Sequence, residues 1–143
     1  MNVNNRLAEF QDVFWSVFQK LKKKNEFYPQ TEYKLASGHT LILLHVFNKN
    51  TCTASDIASF LGITSGGVTG LTDTLLKNNL INRTRLQSDR RVVQISLTNE
   101  GEKIVEQITE ERAKMFTQLF QNMDEKEIEE IVRIFKKLNN MMI

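Results

Sequence analysis

"LGITSGGVTGLTDTLL", from Leu61 to Leu76, decides how this chain folds. Val68, Leu71 and Leu75 fall at i, i+3 and i+7, an apolar stripe along one helix face. Yet Gly66, Gly67 and Gly70 sit in the opening turns, so that half of the chain's six glycines lie within five residues. Each glycine inside a helix costs up to about 1 kcal/mol relative to alanine. The pattern predicts a helix with two faces. Val68, Leu71 and Leu75 pack on a core, while Ser65, Gly66, Thr69, Gly70 and Thr74 cluster toward the outside. A face this small lets the helix backbone approach another surface closely. The alternatives are that the glycines relieve crowding inside the fold, as Gly67 would by easing packing against the preceding helix, or that the segment is not helical until later.

Working outward, Thr64 is placed to cap this helix and Thr53 to cap a shorter one before it. Ala54, Ile57, Ala58 and Leu61 form the inner face of the shorter helix, and Gly62 suits its C-terminal turn. Two short helices joined by a tight glycine-containing turn are a helix-turn-helix. Further upstream, "HTLILLHVF" is apolar nearly all round and reads as a buried central helix capped by Ser37. Downstream, "LINRTR" and "RVVQISL" flank "LQSD". Val93, Ile95 and Leu97 alternate with Gln94 and Ser96, the period of a half-buried strand, so a hairpin follows. Thr98 then caps a long helix starting near Asn99. Asp124 and Glu127 make a capping box for the last one.

Both ends of the chain carry narrow heptad seams. A first helix over roughly 3–25 places Val3, Leu7, Phe10, Phe14, Val17 and Leu21 at steps of 4, 3, 4, 3 and 4 before closing on Lys22, Lys23 and Lys24. In the last helix Ile128, Ile131, Phe135, Leu138 and Met142 recur at steps of 3, 4, 3 and 4. Packing within one chain would satisfy such seams. A seam at each end of a compact centre favours interlocking with a second copy around a two-fold axis.

Composition bounds the class. At 143 residues, 41% apolar and 25% charged, the chain fits one globular domain with helical extensions. One cysteine excludes an internal disulfide framework and a Cys-rich zinc site. The start "MNVNNRLAEF" has no apolar signal core, and no apolar run approaches the ~18 residues of a membrane span, so the expected location is the cytoplasm. The net charge of +2 hides a cluster: five basic residues and one acid, Asp89, lie between Lys77 and Arg91. Clustered positive charge points to a polyanion, and a solvated surface loop is the plainer alternative.

A helix-turn-helix followed at once by a basic-tipped hairpin is a winged helix. Its second helix can enter a major groove while the wing reaches the backbone or the minor groove beside it. At the tip, "SDRR" supplies always-charged guanidinium groups, and Asp89 reads as an arginine partner that fixes the tip's shape. Arg83 and Arg85 on the ascending strand, and Lys77 near the end of the second helix, could all meet phosphate.

These residues carry a resemblance. From Leu35 to Gly101 the chain resembles the MarR family of bacterial winged-helix transcription regulators. "LASGHTLILLHVF" is similar to the family's central helix, "CTASDIASFLGIT" to its first helix-turn-helix helix, and "SGGVTGLTDTLLKNNLI" to its recognition helix. The most specific match lies in "RLQSDRRVVQISLTNEG", at Arg85, Asp89, Arg90, Arg91, Ile95, Leu97, Thr98 and Gly101. The resemblance implies a mainly α fold with a small β-hairpin wing. It implies one domain over 1–143, with a DNA-binding lobe at 35–101 and a helical dimerisation region at 1–28 and 102–143. It also implies a homodimer on palindromic double-stranded DNA, often a repressor released by a small-molecule effector or by oxidation. The DNA-contact set is then Thr53, Thr64, Ser65, Gly66, Thr69, Gly70, Thr74, Lys77, Arg83, Arg85, Asp89, Arg90 and Arg91, with Arg91 at the family's usual minor-groove position. The dimerisation set is Val3, Leu7, Phe10, Phe14, Ile128, Ile131, Phe135, Leu138 and Met142. The sequence departs from the family at Gly70 and Thr74, where arginines are frequent, which shifts weight from guanine readout toward the wing and DNA shape.

Other signals point to no enzyme and no cofactor. His39 and His45 cannot make a three-histidine zinc site, and no Cys/His cluster joins them. Ile63 stands where a G-x-S-x-G elbow needs glycine, and neither a P-loop nor a dinucleotide fingerprint is present. Cys52 reads as a small buried hydrophobe, with a redox role as the alternative. Phe10, Phe14, Trp15 and Phe18 read first as core. A winged-helix module that binds protein instead of DNA is the competing function, but it has no need of Arg85, Arg90 and Arg91 around one turn.

Overall fold

The computed structural model describes residues 2–23 and 28–142, in the order α1 (Val3–Lys22), α2 (Ser37–Lys49), β1 (Thr51–Thr53), α3 (Ala54–Leu61), α4 (Ser65–Lys77), β2 (Ile81–Arg85), β3 (Val93–Leu97), α5 (Asn99–Leu119) and α6 (Glu125–Met141). The fold is mainly helical with a small antiparallel sheet. The expected continuation of α1 through Lys24 to position 25 lies outside the described residues.

α2 is the hub, because its apolar run has no polar face to turn outward. It buries Thr40, Ile42, Leu43 and Val46. Around it pack Ile57 of α3, Val68 and Leu75 of α4, Ile95 of β3, and Ile104, Val105 and Ile108 of α5. The start of α2 departs from expectation. Ala36, not Ser37, holds the cap position in an extended conformation, and Ser37 is already helical. The backbone N–H of Ala36 donates to Nδ1 of His39 at 3.0 Å, so the imidazole supplies only the backward half of a capping box, and the cap residue itself offers no side-chain acceptor to the first turn. Partial burial lowers the His39 pKa and favours the neutral ring that this acceptor role needs.

The remaining caps follow the sequence. Thr53, Thr64, Thr98 and Asp124 each accept a hydrogen bond from the backbone N–H three residues on, at 2.9–3.1 Å. The hairpin is also present, with Ile81 opposite Leu97 and Arg85 opposite Val93. A third strand was not expected: β1 pairs with β3, giving the order β1-β3-β2. Cys52 sits opposite Ile95 in that pairing and is buried, and its thiol pKa is raised, chiefly by burial.

α1 and α6 bury no residue at all. This corrects the reading of the α1 aromatics as core. Phe10, Phe14, Trp15 and Phe18 are 41–61% exposed and pack on one another, with ring centroids 5.5–6.4 Å apart. The seams of both terminal helices therefore stay open within the single chain.

The glycines divide by what a side chain would meet. At Gly101, where α5 starts, a Cβ would collide with the Leu80 carbonyl oxygen. At Gly70 it would meet nothing within 4 Å, and at Gly66 only Thr64 Oγ1 at 3.9 Å. The two classes predict opposite signs. Gly101→Ala should lower stability by about 1–3 kcal/mol through overpacking, whereas Gly70→Ala should raise it by up to about 1 kcal/mol through helix propensity. Urea unfolding of both variants checks this, and a destabilised Gly70→Ala would reveal a packing role for that glycine.

Candidate nucleic-acid interface

Three local devices aim α4. Thr53 and Asp56 cap α3 reciprocally, with Asp56 accepting from the Thr53 N–H at 3.1 Å. That hydrogen bond is the main reason the Asp56 pKa is lowered. Gly62 ends α3 in the left-handed region at φ 65°, which only a residue without Cβ adopts freely. Thr64 then starts α4 by accepting from the Gly67 N–H.

α4 has the two faces its sequence implies, with two adjustments. Val68, Thr72 and Leu75 are buried, and Leu71 is half-buried. Thr72 belongs to the core face because its hydroxyl donates to the Val68 carbonyl at 2.9 Å and so needs no water. Ser65, Gly66, Thr69, Gly70 and Lys77 are exposed, while Thr74 is half-buried. Gly67 lies against Ile63, with 3.4 Å left for a Cβ, in keeping with a packing role. Gly66 and Gly70 face open space, so crowding does not explain them.

The wing's arginines have distinct surroundings. Arg83 Nη1 donates to Asp73 Oδ1 at 2.6 Å and to Thr72 Oγ1 at 3.0 Å, strapping β2 to α4. Arg85 Nη1 donates to the Arg90 carbonyl at 2.8 Å and braces the turn. Asp89 accepts from the Arg91 backbone N–H and from its Nε, both at 3.1 Å, and from Nη2 at 3.2 Å. These bonds, the side-chain ones foremost, lower the Asp89 pKa. The Arg91 side chain is nevertheless 92% exposed, so Asp89 holds the guanidinium by one edge and leaves it projecting. Arg90 is exposed as well. Between α4 and the two long strands lies a cleft of about 330 Å³, lined by Thr69, Thr72, Arg83 and Arg85 among others.

Sequence reasoning missed Asp73 and its strap. The signal was available: opposite charges stand on either side of the turn that leads from α4 into β2. Among the described residues no group of His, Cys, Asp and Glu could hold a metal ion, and no helix is long and apolar enough to cross a membrane.

This geometry, an exposed recognition helix beside a wing with a projecting arginine, agrees with sequence relationships. The MarR family model matches residues 35–93. The HTH-type transcriptional regulator SarZ of Staphylococcus aureus is 30% identical over 101 residues, covering 71% of this chain and 67% of SarZ. The chain belongs to the MarR family. As a MarR-family protein it is a DNA-binding transcriptional regulator, not an enzyme. A second relative, the uncharacterized HTH-type transcriptional regulator YhbI of Bacillus subtilis, is 28% identical over 138 residues, covering 94% of this chain and 89% of YhbI. The fold is shared with the solved structure of a MarR family protein from Bacillus stearothermophilus. That pair has a TM-score of 0.86 and 23% identity over 99% of this chain and 98% of the other.

The strap carries a prediction. Asp73→Asn removes the ion pair but keeps the Thr72 bond. Because the Asp73 and Arg83 side chains are 56% and 27% exposed, the global loss should be about 1 kcal/mol or less. Amide hydrogen exchange along Arg83–Arg85 should accelerate. Unchanged exchange would show that Thr72 alone holds the guanidinium.

Proposed function

We propose that this MarR-family protein is a cytoplasmic homodimer that binds palindromic operators and represses transcription until a small-molecule effector releases it. Residues 35–101 form the reading lobe of each protomer in this proposal, and 1–28 with 102–143 form the dimer region. Within each lobe α4 enters the major groove and the wing reaches the minor groove beside it. Gly66, Thr69 and Gly70 face the bases, and Ser65, in the first turn, lies toward phosphate. The caps Thr53 and Thr64, with Lys77, lie near phosphate. Arg90 and Arg91 lead the wing, and Asp89 presents Arg91. Arg83, Arg85 and Thr74 serve chiefly by holding the shape of this surface.

The observation that carries the reading is the pairing of an exposed, side-chain-poor recognition face with an arginine held almost wholly in solvent. Neither feature stabilises the isolated lobe, and both suit a polyanionic groove. The dimer is supported by the unburied seams. Val3, Leu7, Phe10 and Phe14 on α1, with Phe135, Leu138 and Met142 at the C-terminal end, are all 41–70% exposed. Apolar stripes of this extent on a soluble chain mark an interaction surface. Ile128 and Ile131 are half-buried and continue the α6 seam.

Sedimentation at low micromolar concentration should therefore find a dimer. A folded monomer would overturn the interlocked arrangement. The recognition helices should meet major grooves about one helical turn (~10 bp) apart, which footprinting reads as two symmetric half-sites.

Arg91→Ala should weaken duplex binding by about 1–3 kcal/mol with little change in melting temperature, and Arg90→Ala should do less. Gly70→Ala should also weaken binding, because its new methyl meets DNA instead of protein. Titration of duplex DNA at several salt concentrations measures all three. Normal binding by Arg91→Ala would remove the wing from the mechanism.

A further inference from the structure

We propose that α4 selects A·T base pairs by apolar contact with the thymine 5-methyl group, and that Thr69 is the specificity-determining residue. The inference rests on the DNA-binding reading above and adds the class of base that is read.

The first step is what α4 lacks. Guanine presents two acceptors in the major groove, and its usual partners are arginine and lysine; adenine is read by asparagine or glutamine. From Ser65 to Leu76 none of these residues occurs; Lys77 follows as the last residue of α4, a full two turns beyond Thr69. The one charged side chain in that span, Asp73, is a carboxylate that guanine's acceptors repel, and Arg83 already holds it.

The second step is that the threonine donors are committed. The Thr69 hydroxyl donates to the Ser65 carbonyl at 3.1 Å, that of Thr72 to the Val68 carbonyl, and that of Thr74 to the Gly70 carbonyl at 3.5 Å. Thr72 is buried and Thr74 half-buried, so Thr69 is the exposed one of the three. With its hydroxyl bonded back to the helix, its Cγ2 methyl is the group left for contact with a base edge. Gly66 and Gly70 lie beside it and offer no side chain that could keep a base edge away. Ser65 retains a hydroxyl, but in the first turn, where hydroxyls and amides serve phosphate.

A lone methyl between bare backbone positions complements the thymine methyl. With the Thr69 O–H committed to Ser65, neither the methyl nor the hydroxyl offers a donor to the guanine acceptors. The wing points to the same composition independently. A guanidinium held outward by Asp89 is best placed in a narrow, strongly negative minor groove, which A-tracts provide.

The test uses the full-length protein. Duplexes selected by the wild type from a random-sequence pool are resynthesised with deoxyuridine in place of thymidine, and separately with 7-deazaguanine in place of guanine. Deoxyuridine should weaken binding about fourfold for each thymine methyl contacted, the factor expected for one buried methyl group. 7-Deazaguanine should change nothing. Thr69→Ser keeps the hydroxyl and its backbone bond but loses the methyl. It should weaken binding to thymine DNA by a similar factor and make the protein indifferent to uracil at the contacted position. Binding that survives deoxyuridine but falls with 7-deazaguanine would overturn the inference. So would Thr69→Ser and uracil effects that simply multiply. Either result leaves the DNA-binding reading standing, whereas absence of any salt-dependent duplex binding by the wild type would overturn both.

Discussion

The arrangement of the reading lobe depends on one knot of backbone around Thr98. Its N–H donates to the Leu80 carbonyl at 3.1 Å, and its hydroxyl donates to the Asn79 carbonyl at 2.7 Å while accepting from the Gly101 N–H at 3.0 Å. Four elements meet there: the end of α4, the start of β2, the end of β3 and the start of α5. The chain leaves α4 through Asn79 at φ 58°, a left-handed conformation that asparagine tolerates better than most residues. α5 can lie against the Leu80 carbonyl only because residue 101 has no side chain. The wing is thereby a loop closed at its base by a fixed point. The angle between recognition helix and wing is set there, not at the tip.

Above that base, the Arg83 strap sets how far the wing stands off α4. This helps explain why a protein with a basic wing has no cation on its recognition helix before Lys77 in the last turn. Arg83 neutralises Asp73, and Arg85 braces the turn, so two wing charges go into shape. The remaining charge is concentrated at the tip. Meanwhile α4 gives up helix propensity at Gly66 and Gly70, where the fold would accept alanine. The lobe thus separates positioning residues from residues that face outward.

Much of this was legible in sequence because it is local. Caps are decided within four residues, so Thr53, Thr64, Thr98 and Asp124 could be read directly. The period-2 alternation of β3 and the stripe on α4 were equally direct. What escaped was non-local or too short. β1 has three residues, too few for a period, and is a strand only because β3 has a free edge there. The His39 cap required knowing that an imidazole reaches back to Ala36 ahead of the nearer serine. The Asp73–Arg83 strap joins residues ten apart across a turn whose geometry the knot at Thr98 decides. The α1 aromatics misled because large rings usually mean core, and composition carries no information about which chain supplies the other half.

In the proposed dimer, regulation would reach DNA through α5. α5 begins at the Thr98 knot and sends Ile104, Val105 and Ile108 into the core, so its first turns move with the lobe as one body. Tyr33 strengthens the link by donating its hydroxyl to Glu100 at 3.1 Å. α1 and α6, in contrast, bury nothing in their own chain. In the proposed dimer, a change in how the terminal helices pack would be transmitted along α5 as a change in the distance between two rigid lobes. Because half-site spacing on DNA is fixed by the helical repeat, a shift of a few ångströms there is enough to release one recognition helix without altering any contact inside the lobe.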